Sequence, residues 1–258
     1  MRRVVVYVAV MVLTIVATSC GRAGDDIRGD DGVELTVSAA ASLTGAFTDI
    51  GEDFEAAHDG VRVLFNFGPS DGLATQITES GGVDVFASAS PAWMDAVSED
   101  PGVTQRADLA RNRLAIIVPA DDPARISAVE DLAEPGIQLV LAAEGVPAGD
   151  YARGILANAG IADAAMANVV SNEEDVNGVI TKVLSGDADA GIAYVTDVTA
   201  GLAEQITLVE IPDDLNVIAT YPIAVVQGTE HRDLAEAFVE FVLGPGRGTL
   251  DGYGFLPA

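Results

Sequence analysis

The sequence predicts an α/β protein of two lobes, each built on a mainly parallel sheet flanked by helices. Three observations carry that expectation. From Val33 onward, short runs rich in Val, Ile and Ala alternate with amphipathic stretches of helical spacing, the pattern of parallel strands joined by helices. The core-forming residues are aliphatic, since 49% of the chain is hydrophobic and only 5% aromatic. The 258 residues suffice for one large domain or two modest ones. Two loop-like stretches, PADDP at 119–123 and IPDDLN at 211–216, bracket a middle segment of about a hundred residues, close to the common size of one compact unit.

Strands are expected at 34–38, 61–67, 83–88, 113–119, 138–142, 168–171, 190–194, 206–211 and 221–226. Helices are expected between them at 43–57, 73–79, 91–97, 148–159, 176–185 and 234–243. Taking the two loops as crossings places 33–118 plus 221–258 in a first lobe and 119–220 in a second.

The N-terminus reads as a targeting segment. Arg2 and Arg3 precede an apolar run over 4–17, the length of a signal-peptide core and too short to span a bilayer comfortably. The run ends in Ala17-Thr18-Ser19-Cys20-Gly21, small residues before the single cysteine, which resembles the bacterial lipobox. Residues 1–19 are therefore the expected signal peptide and Cys20 the expected lipidation site. An ordinary secreted protein cleaved nearby and an uncleaved anchor are the alternatives. Residues 20–32, rich in Gly and Asp and without apolar periodicity, read as a flexible tether. A lone cysteine excludes an internal disulfide, a Cys-based zinc site and a Cys-x-x-Cys redox motif.

Charge narrows the partners. Forty acidic residues face 13 basic ones, Lys182 being the only lysine, for a net charge of −27. Nucleic acid and anionic membrane surfaces both require basic patches, so neither is an expected partner.

Four strand-to-helix corners share one chemical character: Ala39-Ala40-Ala41-Ser42-Leu43, Phe67-Gly68-Pro69-Ser70-Asp71-Gly72, Glu144-Gly145-Val146-Pro147-Ala148-Gly149 and Asn172-Glu173-Glu174-Asp175-Val176-Asn177. Open α/β sheets bind ligands beyond the carboxyl ends of their strands. Small residues there let a ligand reach the backbone, and helix starts offer free N–H donors at the positive end of the dipole. Serine adds a hydroxyl without charge. The first corner is notable for lacking a glutamate three residues after Ser42, so no capping box satisfies the helix start. Each corner also has a plain structural reading: Ser42 and Ser70 as N-caps, Pro147 as helix punctuation, Glu173, Glu174 and Asp175 as first-turn acids suited to the dipole.

Enzyme chemistry finds little footing. His58 and His231 lie in polar contexts away from strand ends, so the Gly-x-Ser-x-Gly spacing at 68–72 has no evident histidine partner, and no Gly-x-x-x-x-Gly-Lys loop is present. Asp187 and Asp189 lack the glycine and glutamate spacing of a calcium loop.

The motifs AASLTGAF, FNFGPSDGLATQI, VDVFASASPAWMD, VPAGDYAR, EEDVNGVI and GIAYVTD, with the ending YPIAVVQG…FVEFVLGP…YGF, together resemble the molybdate-binding proteins of ABC transporters, the ModA family. The likeness spans nearly all of 35–255 in one order. It implies a type II periplasmic-binding-protein fold, two lobes closing by a hinge on one tetrahedral oxyanion held by neutral hydrogen bonds. It also implies the ligand set: the hydroxyl and N–H of Ser42 and of Ser70, the N–H groups of Ala148 and Val176, and the phenol of Tyr194. Of itself Tyr194 would read as a strand-end aromatic packed on the core. The implied cargo is molybdate, with tungstate beside it, and the implied partner an ABC permease. No cofactor, direct metal ligand or oligomer is expected. Alternatives are a receptor for sulfate or phosphate, and a sensor or adhesion module without a transporter. Two departures from the family pattern touch the second corner. Asp71 stands where relatives carry a small hydroxyl residue, and Pro69 removes one N–H. A carboxylate facing a dry anion repels it, so Asp71 is expected to point away or to pair.

Overall fold

The computed structural model describes residues 32–199 and 201–258; the expected signal peptide and Cys20 lie outside them. The chain opens with β1 (Val33–Ala40), α1 (Thr44–Ala57), β2 (Val61–Gly68), α2 (Ser70–Ser80), β3 (Val85–Ala87), α3 (Pro91–Glu99) and β4 (Val103–Asn112). There follow β5 (Leu114–Pro119), β6 (Leu139–Ala142), α4 (Pro147–Asn158), α5 (Ala162–Ala167), β7 (Val169–Glu173), α6 (Val176–Leu184), β8 (Ala190–Tyr194) and β9 (Ile206–Glu210). Last come β10 (Ala219–Val226), α7 (Arg232–Leu243) and α8 (Arg247–Gly252). Among the described residues no helix is long and apolar enough to cross a membrane.

Two five-stranded sheets result, in the orders β2-β1-β3-β10-β4 and β7-β6-β8-β5-β9. Each is mixed, which corrects the expectation of mainly parallel pairing. β1 lies parallel to β2 and β3, and β6 lies parallel to β7 and β8. β10 runs antiparallel between β3 and β4, as β5 does between β8 and β9. The parallel reading holds where a helix returns the chain to the same end of the sheet. It fails for the strands that arrive directly from the other lobe and enter from the opposite end.

Alternation along the strands sorts the first lobe's core onto two faces. Val85 and Ala87 of β3, with Ile223 and Val225 of β10, pack among Phe47, Ile50, Phe54 and Phe238 of α1 and α7. The intervening Phe86, Ala224 and Val226 turn to the other face, against Leu73, Ile77, Met94 and Val97 of α2 and α3.

The first crossing lies earlier than the loop at 119–123 implies. β5 belongs to the second sheet, so 113–118 joins the second lobe and the chain crosses at Asn112–Arg113. The PADDP turn does end a strand, but within the second lobe. The crossing itself carries no turn chemistry, because β4 passes almost directly into β5. β4 falls outside the expected strands: six of the ten residues of VTQRADLARN are polar, as suits the outermost strand of its sheet. The second crossing falls between β9 and β10, at the IPDDLN loop.

Candidate oxyanion site

The parallel strands of both sheets end at one cleft. Ala41, Ser42, Gly68, Pro69, Ser70 and Ala89 from the first lobe and Val146, Pro147, Ala148, Asp175, Val176 and Tyr194 from the second line a small cavity of ≈ 20 Å³. All five ligands implied by the resemblance are among these residues. No lysine or arginine is. Asp71 is not a lining residue either, but its Oδ1 is buried without a hydrogen-bond partner, so the expected pairing is not formed.

Ser42 sits in a short 3-10 turn, Ala41–Leu43, between β1 and α1. Neither that turn nor α1 has a side-chain cap, so Ser42 is not capping its own helix. Its Oγ lies 2.9 Å from the Tyr221 phenol oxygen. Ser70 is the first residue of α2 and nearly fully buried. Its Oγ accepts the Ala89 N–H at 3.0 Å, which leaves its own proton free. Pro69 provides the extended residue before α2 and no hydrogen bond from its side chain.

The second lobe presents backbone. Ala148 is the second residue of α4, after Pro147, and Val176 is the first of α6. Helix geometry gives the N–H groups at these positions no intrahelical acceptor. Gly149 lets α4 start this close to β6, since a Cβ there would lie 2.1 Å from the Ala143 carbonyl oxygen and 2.4 Å from that of Ala142. Asp175 caps α6 by accepting the Gly178 N–H at 3.0 Å. It is the one carboxylate at the cavity wall; it is the N-cap of α6, whose first turn holds no acid, and Glu173 ends β7, which corrects the reading of Glu173, Glu174 and Asp175 as first-turn acids. Arg153 turns away, its guanidinium donating to the Ala142 and Gly149 carbonyls at 2.8 and 2.9 Å and to Asn172 at 2.7 Å.

Tyr194 ends β8 with its ring buried, and its phenol oxygen has no hydrogen-bond partner. Buried polar atoms are normally paired; Ser38 Oγ, Asp71 Oδ1 and Thr104 Oγ1 also lack a partner, and of these four atoms only that of Tyr194 belongs to a cavity-lining residue. Burial, the Tyr221 and Tyr151 phenols and Asp197 raise the Tyr194 phenol well above its usual titration range, so it stays a donor. Asp197 accepts the Tyr194 N–H at 3.0 Å. Burial, reinforced by Asp175, pushes its carboxyl up to about 8 against that hydrogen bond, so near neutrality it is mostly uncharged.

Three bonds join the lobes around the cavity. The Trp93 indole N–H donates to the Gly145 carbonyl at 2.9 Å, and the Tyr151 hydroxyl to the Ala89 carbonyl at 3.1 Å. At the crossing, fully buried Asn112 donates to Thr196 Oγ1 at 2.8 Å. Tyr221, Asn112, Ala89 and Tyr151 escaped the reading of the sequence. Their contacts join residues far apart in the chain, and only the bulky polar Tyr221 before a proline carried any local signal.

The histidines have structural surroundings. His58 stacks on Phe54 with ring centroids 4.0 Å apart, and its Nδ1 lies 2.8 Å from the Phe54 carbonyl. His231 precedes α7, and neither lines the cavity. Asp189 accepts the Gln138 N–H at 2.8 Å and Asp187 pairs with Lys182 at 3.2 Å. Among the described residues no cluster of His, Cys, Asp and Glu is placed to hold a metal ion.

Two lobes closed over a cavity of convergent neutral donors define a class: a binding protein that encloses a small solute between its sheets. The sequence pattern of the bacterial extracellular solute-binding proteins matches residues 35–256. The molybdate-binding protein ModA of Mycobacterium tuberculosis (strain H37Rv) is 40% identical over 223 residues, 86% of this chain and 84% of that protein. A Bacillus subtilis (strain 168) protein whose name carries the words substrate-binding lipoprotein is 28% identical over 240 residues, 92% of this chain and 91% of its own. The solved periplasmic molybdate-binding protein of Azotobacter vinelandii superposes with a TM-score of 0.75 at 20% identity, covering 87% of this chain and 99% of that one, a likeness of fold. The chain belongs to the ModA family of bacterial extracellular solute-binding proteins, a family of binding proteins and not of enzymes.

Proposed function

We propose that the chain captures molybdate, and tungstate with it, and delivers the anion to the permease of an ABC importer. The observation that carries this reading is the buried, unpartnered Tyr194 phenol in a cavity shared with Ser42, Ser70, Ala148 and Val176. Three hydroxyls and four backbone N–H groups at the strand-to-helix corners, with no cation, suit a fully deprotonated oxyanion that must be desolvated, held and later released. A hydrogen bond to a charged group contributes about 1.5–3 kcal/mol, so several together offset desolvation without a salt bridge. The net charge of −27 does not forbid this: exposed charges are screened beyond about 8–10 Å at physiological salt, and within that range the convergent donors decide.

Molybdate is favoured over sulfate by the 40% identity to the mycobacterial protein named for molybdate. Charge and tetrahedral shape alone do not separate the two anions, and cavity size would have to. In this reading the body is a monomer outside the cytoplasm, tethered by a lipid on Cys20 after removal of residues 1–19. The Bacillus subtilis relative with lipoprotein in its name supports the anchor. Titration calorimetry of the mature body with molybdate, tungstate, sulfate and phosphate tests the cargo. Saturable one-to-one heat with molybdate and tungstate is expected. Saturable heat with sulfate and none with molybdate would overturn the assignment. Labelling with a palmitate analogue, lost on Cys20→Ser, tests the anchor.

A further inference from the structure

We propose that Tyr221 sets the specificity of this site by donating its phenolic proton to Ser42, which turns the Ser42 proton toward the anion and takes up a lone pair that a protonated anion would need. The inference rests on the oxyanion reading above and assigns a residue outside the five proposed ligands.

A serine hydroxyl is a rotor with one proton and two lone pairs, so it can serve an anion as donor or acceptor. Its local helix does not orient Ser42, which has no capping role. Its one side-chain partner is Tyr221, at 2.9 Å, and that distance alone does not say which oxygen donates. Asn112 bears on the direction. Its Oδ1 accepts the Arg113 N–H at 2.9 Å, which fixes the amide so that Nδ2 faces Thr196 Oγ1 at 2.8 Å and the Tyr221 oxygen at 3.5 Å. An amide nitrogen only donates. Tyr221 accepts from Asn112 over a long bond, and its own proton has Ser42, at 2.9 Å, as an acceptor within reach. Ser42, with a lone pair occupied, points its proton into the cavity.

The same logic holds at Ser70 by other means. The Ala89 N–H that reaches Ser70 Oγ can only donate, so the Ser70 proton is also turned outward. Both serines thus become donors through a donor placed behind them. Tyr221 is built for this task. It is fully buried, so no water competes for its hydroxyl, and burial raises its titration far enough that the proton stays. The register of β10 against β4 shifts between Tyr221 and Pro222, the kind of break that re-aims a side chain beside a functional site. Edge-on contacts with Tyr194 and Phe255, at centroid distances of 5.8 and 5.4 Å, hold the ring. The relay also spans the crossing, because Asn112 binds Thr196 of the second lobe as it binds Tyr221 of the first.

An oxyanion that carries its own proton, such as hydrogen phosphate or hydrogen arsenate, needs an acceptor; at Ser42 one of the two lone pairs is taken by Tyr221, and the one carboxylate at the wall, Asp175, is engaged by the Gly178 N–H. Tyr221→Phe keeps the ring and frees the rotor. With Y221F, molybdate affinity is expected to fall about tenfold, the scale of one misdirected hydrogen bond. Phosphate, measured by competition at neutral pH, is expected to weaken less or to gain, so that the molybdate-over-phosphate preference narrows by about tenfold. In a Ser42→Ala background the same change is expected to move molybdate affinity less than about twofold, because Tyr221 acts through Ser42. Thermal unfolding of Y221F checks that the fold is retained. Equal losses for both anions, or additive losses with S42A, overturn the role of Tyr221 while the oxyanion reading stands. A wild-type body that takes up no molybdate in the same titration overturns that reading, and the inference with it.

Discussion

The two lobes share a plan and differ in chemistry. Each lays three parallel strands in the same order, with the third beside an antiparallel strand that comes from across the cleft. The corners correspond: Ser42 and Ala148 follow the central strand of each parallel trio, β1 and β6, while Ser70 and Val176 follow the outer strand, β2 and β7. The first lobe brings two hydroxyls together with the N–H groups of the same serines, and the second brings backbone N–H groups and one phenol. A backbone N–H takes its direction from the helix it starts. A hydroxyl takes its direction from whatever stands behind it, and only the first lobe has such a backing layer, in Tyr221 and the Ala89 N–H. Rigid donors need only a well-placed helix; rotating donors need a second set of residues to aim them.

The largest effect that could break this comparison lies at the helix starts. Gly149→Ala would push a Cβ to 2.1 Å from a backbone oxygen, whereas Gly45→Ala in α1 meets a Tyr253 ring atom at 2.5 Å, and that side chain can swing away. Overpacking against backbone is expected to cost about 3 kcal/mol at Gly149 and well under half of that at Gly45, measured by urea unfolding. Equal costs would show that the second lobe's helix start is no more rigid than the first's.

Removing the hydroxyls comes next. Ser42→Ala and Ser70→Ala are each expected to weaken anion binding by roughly 1–3 kcal/mol in calorimetry. Ser70→Ala also strands the buried Ala89 N–H and is expected to lose about 1–2 kcal/mol of stability without ligand. Ser42→Ala leaves Tyr221 its bond from Asn112 and should be milder. Unchanged affinity in either variant would remove that serine from the site.

The pH dependence belongs to the second lobe. Burial pushes the carboxyl of the partly exposed Asp197 up to about 8 in the folded protein, against near 3.9 when unfolded. Between those values the folded state holds a proton that the unfolded state has released. Stability therefore falls as pH rises across that window, by at most about 1.4 kcal/mol per unit. Asp197→Asn is expected to flatten the slope in denaturation curves taken from pH 5 to 8. A slope that persists would assign the proton elsewhere.

The smallest effect on stability carries the sharpest sign. Tyr194→Phe removes a buried hydroxyl without a partner, so the ligand-free protein is expected to gain up to about 1 kcal/mol. Anion affinity is expected to fall about tenfold in the same variant. Both quantities falling together would mean that the hydroxyl is already satisfied within the protein.

The sequence exposes the parallel strands and their helices well, because aliphatic runs and helical spacing are local signals. It hides β4, most of whose residues are polar, and it hides the crossing at Asn112, where one strand continues into the next without a turn. Ser42 could be singled out from its own neighbourhood, as a helix start with no capping glutamate. The cavity confirms that Ser42 caps nothing and places it beside Ser70, Ala148, Val176 and Tyr194. The aiming layer could not be read in the same way. Ser42 and Tyr221 are 179 positions apart and Asn112 and Tyr221 are 109 apart, and no local pattern announces a hydrogen bond over such a span. Asp71 shows the reverse case, a local oddity that raised concern and does not reach the cavity wall.

The single tryptophan of the chain sits on one of the bonds that join the lobes, its indole N–H held by the Gly145 carbonyl. Parting the lobes would break that bond and wet the ring, so the emission of Trp93 is an internal gauge of how much of the protein is shut. Read without anion, the gauge gives the shut fraction, and apparent affinity scales with that fraction when only the shut form grips its cargo. A change of one residue on the latch, far from any proposed donor, could then retune uptake while leaving every contact with the anion as it was.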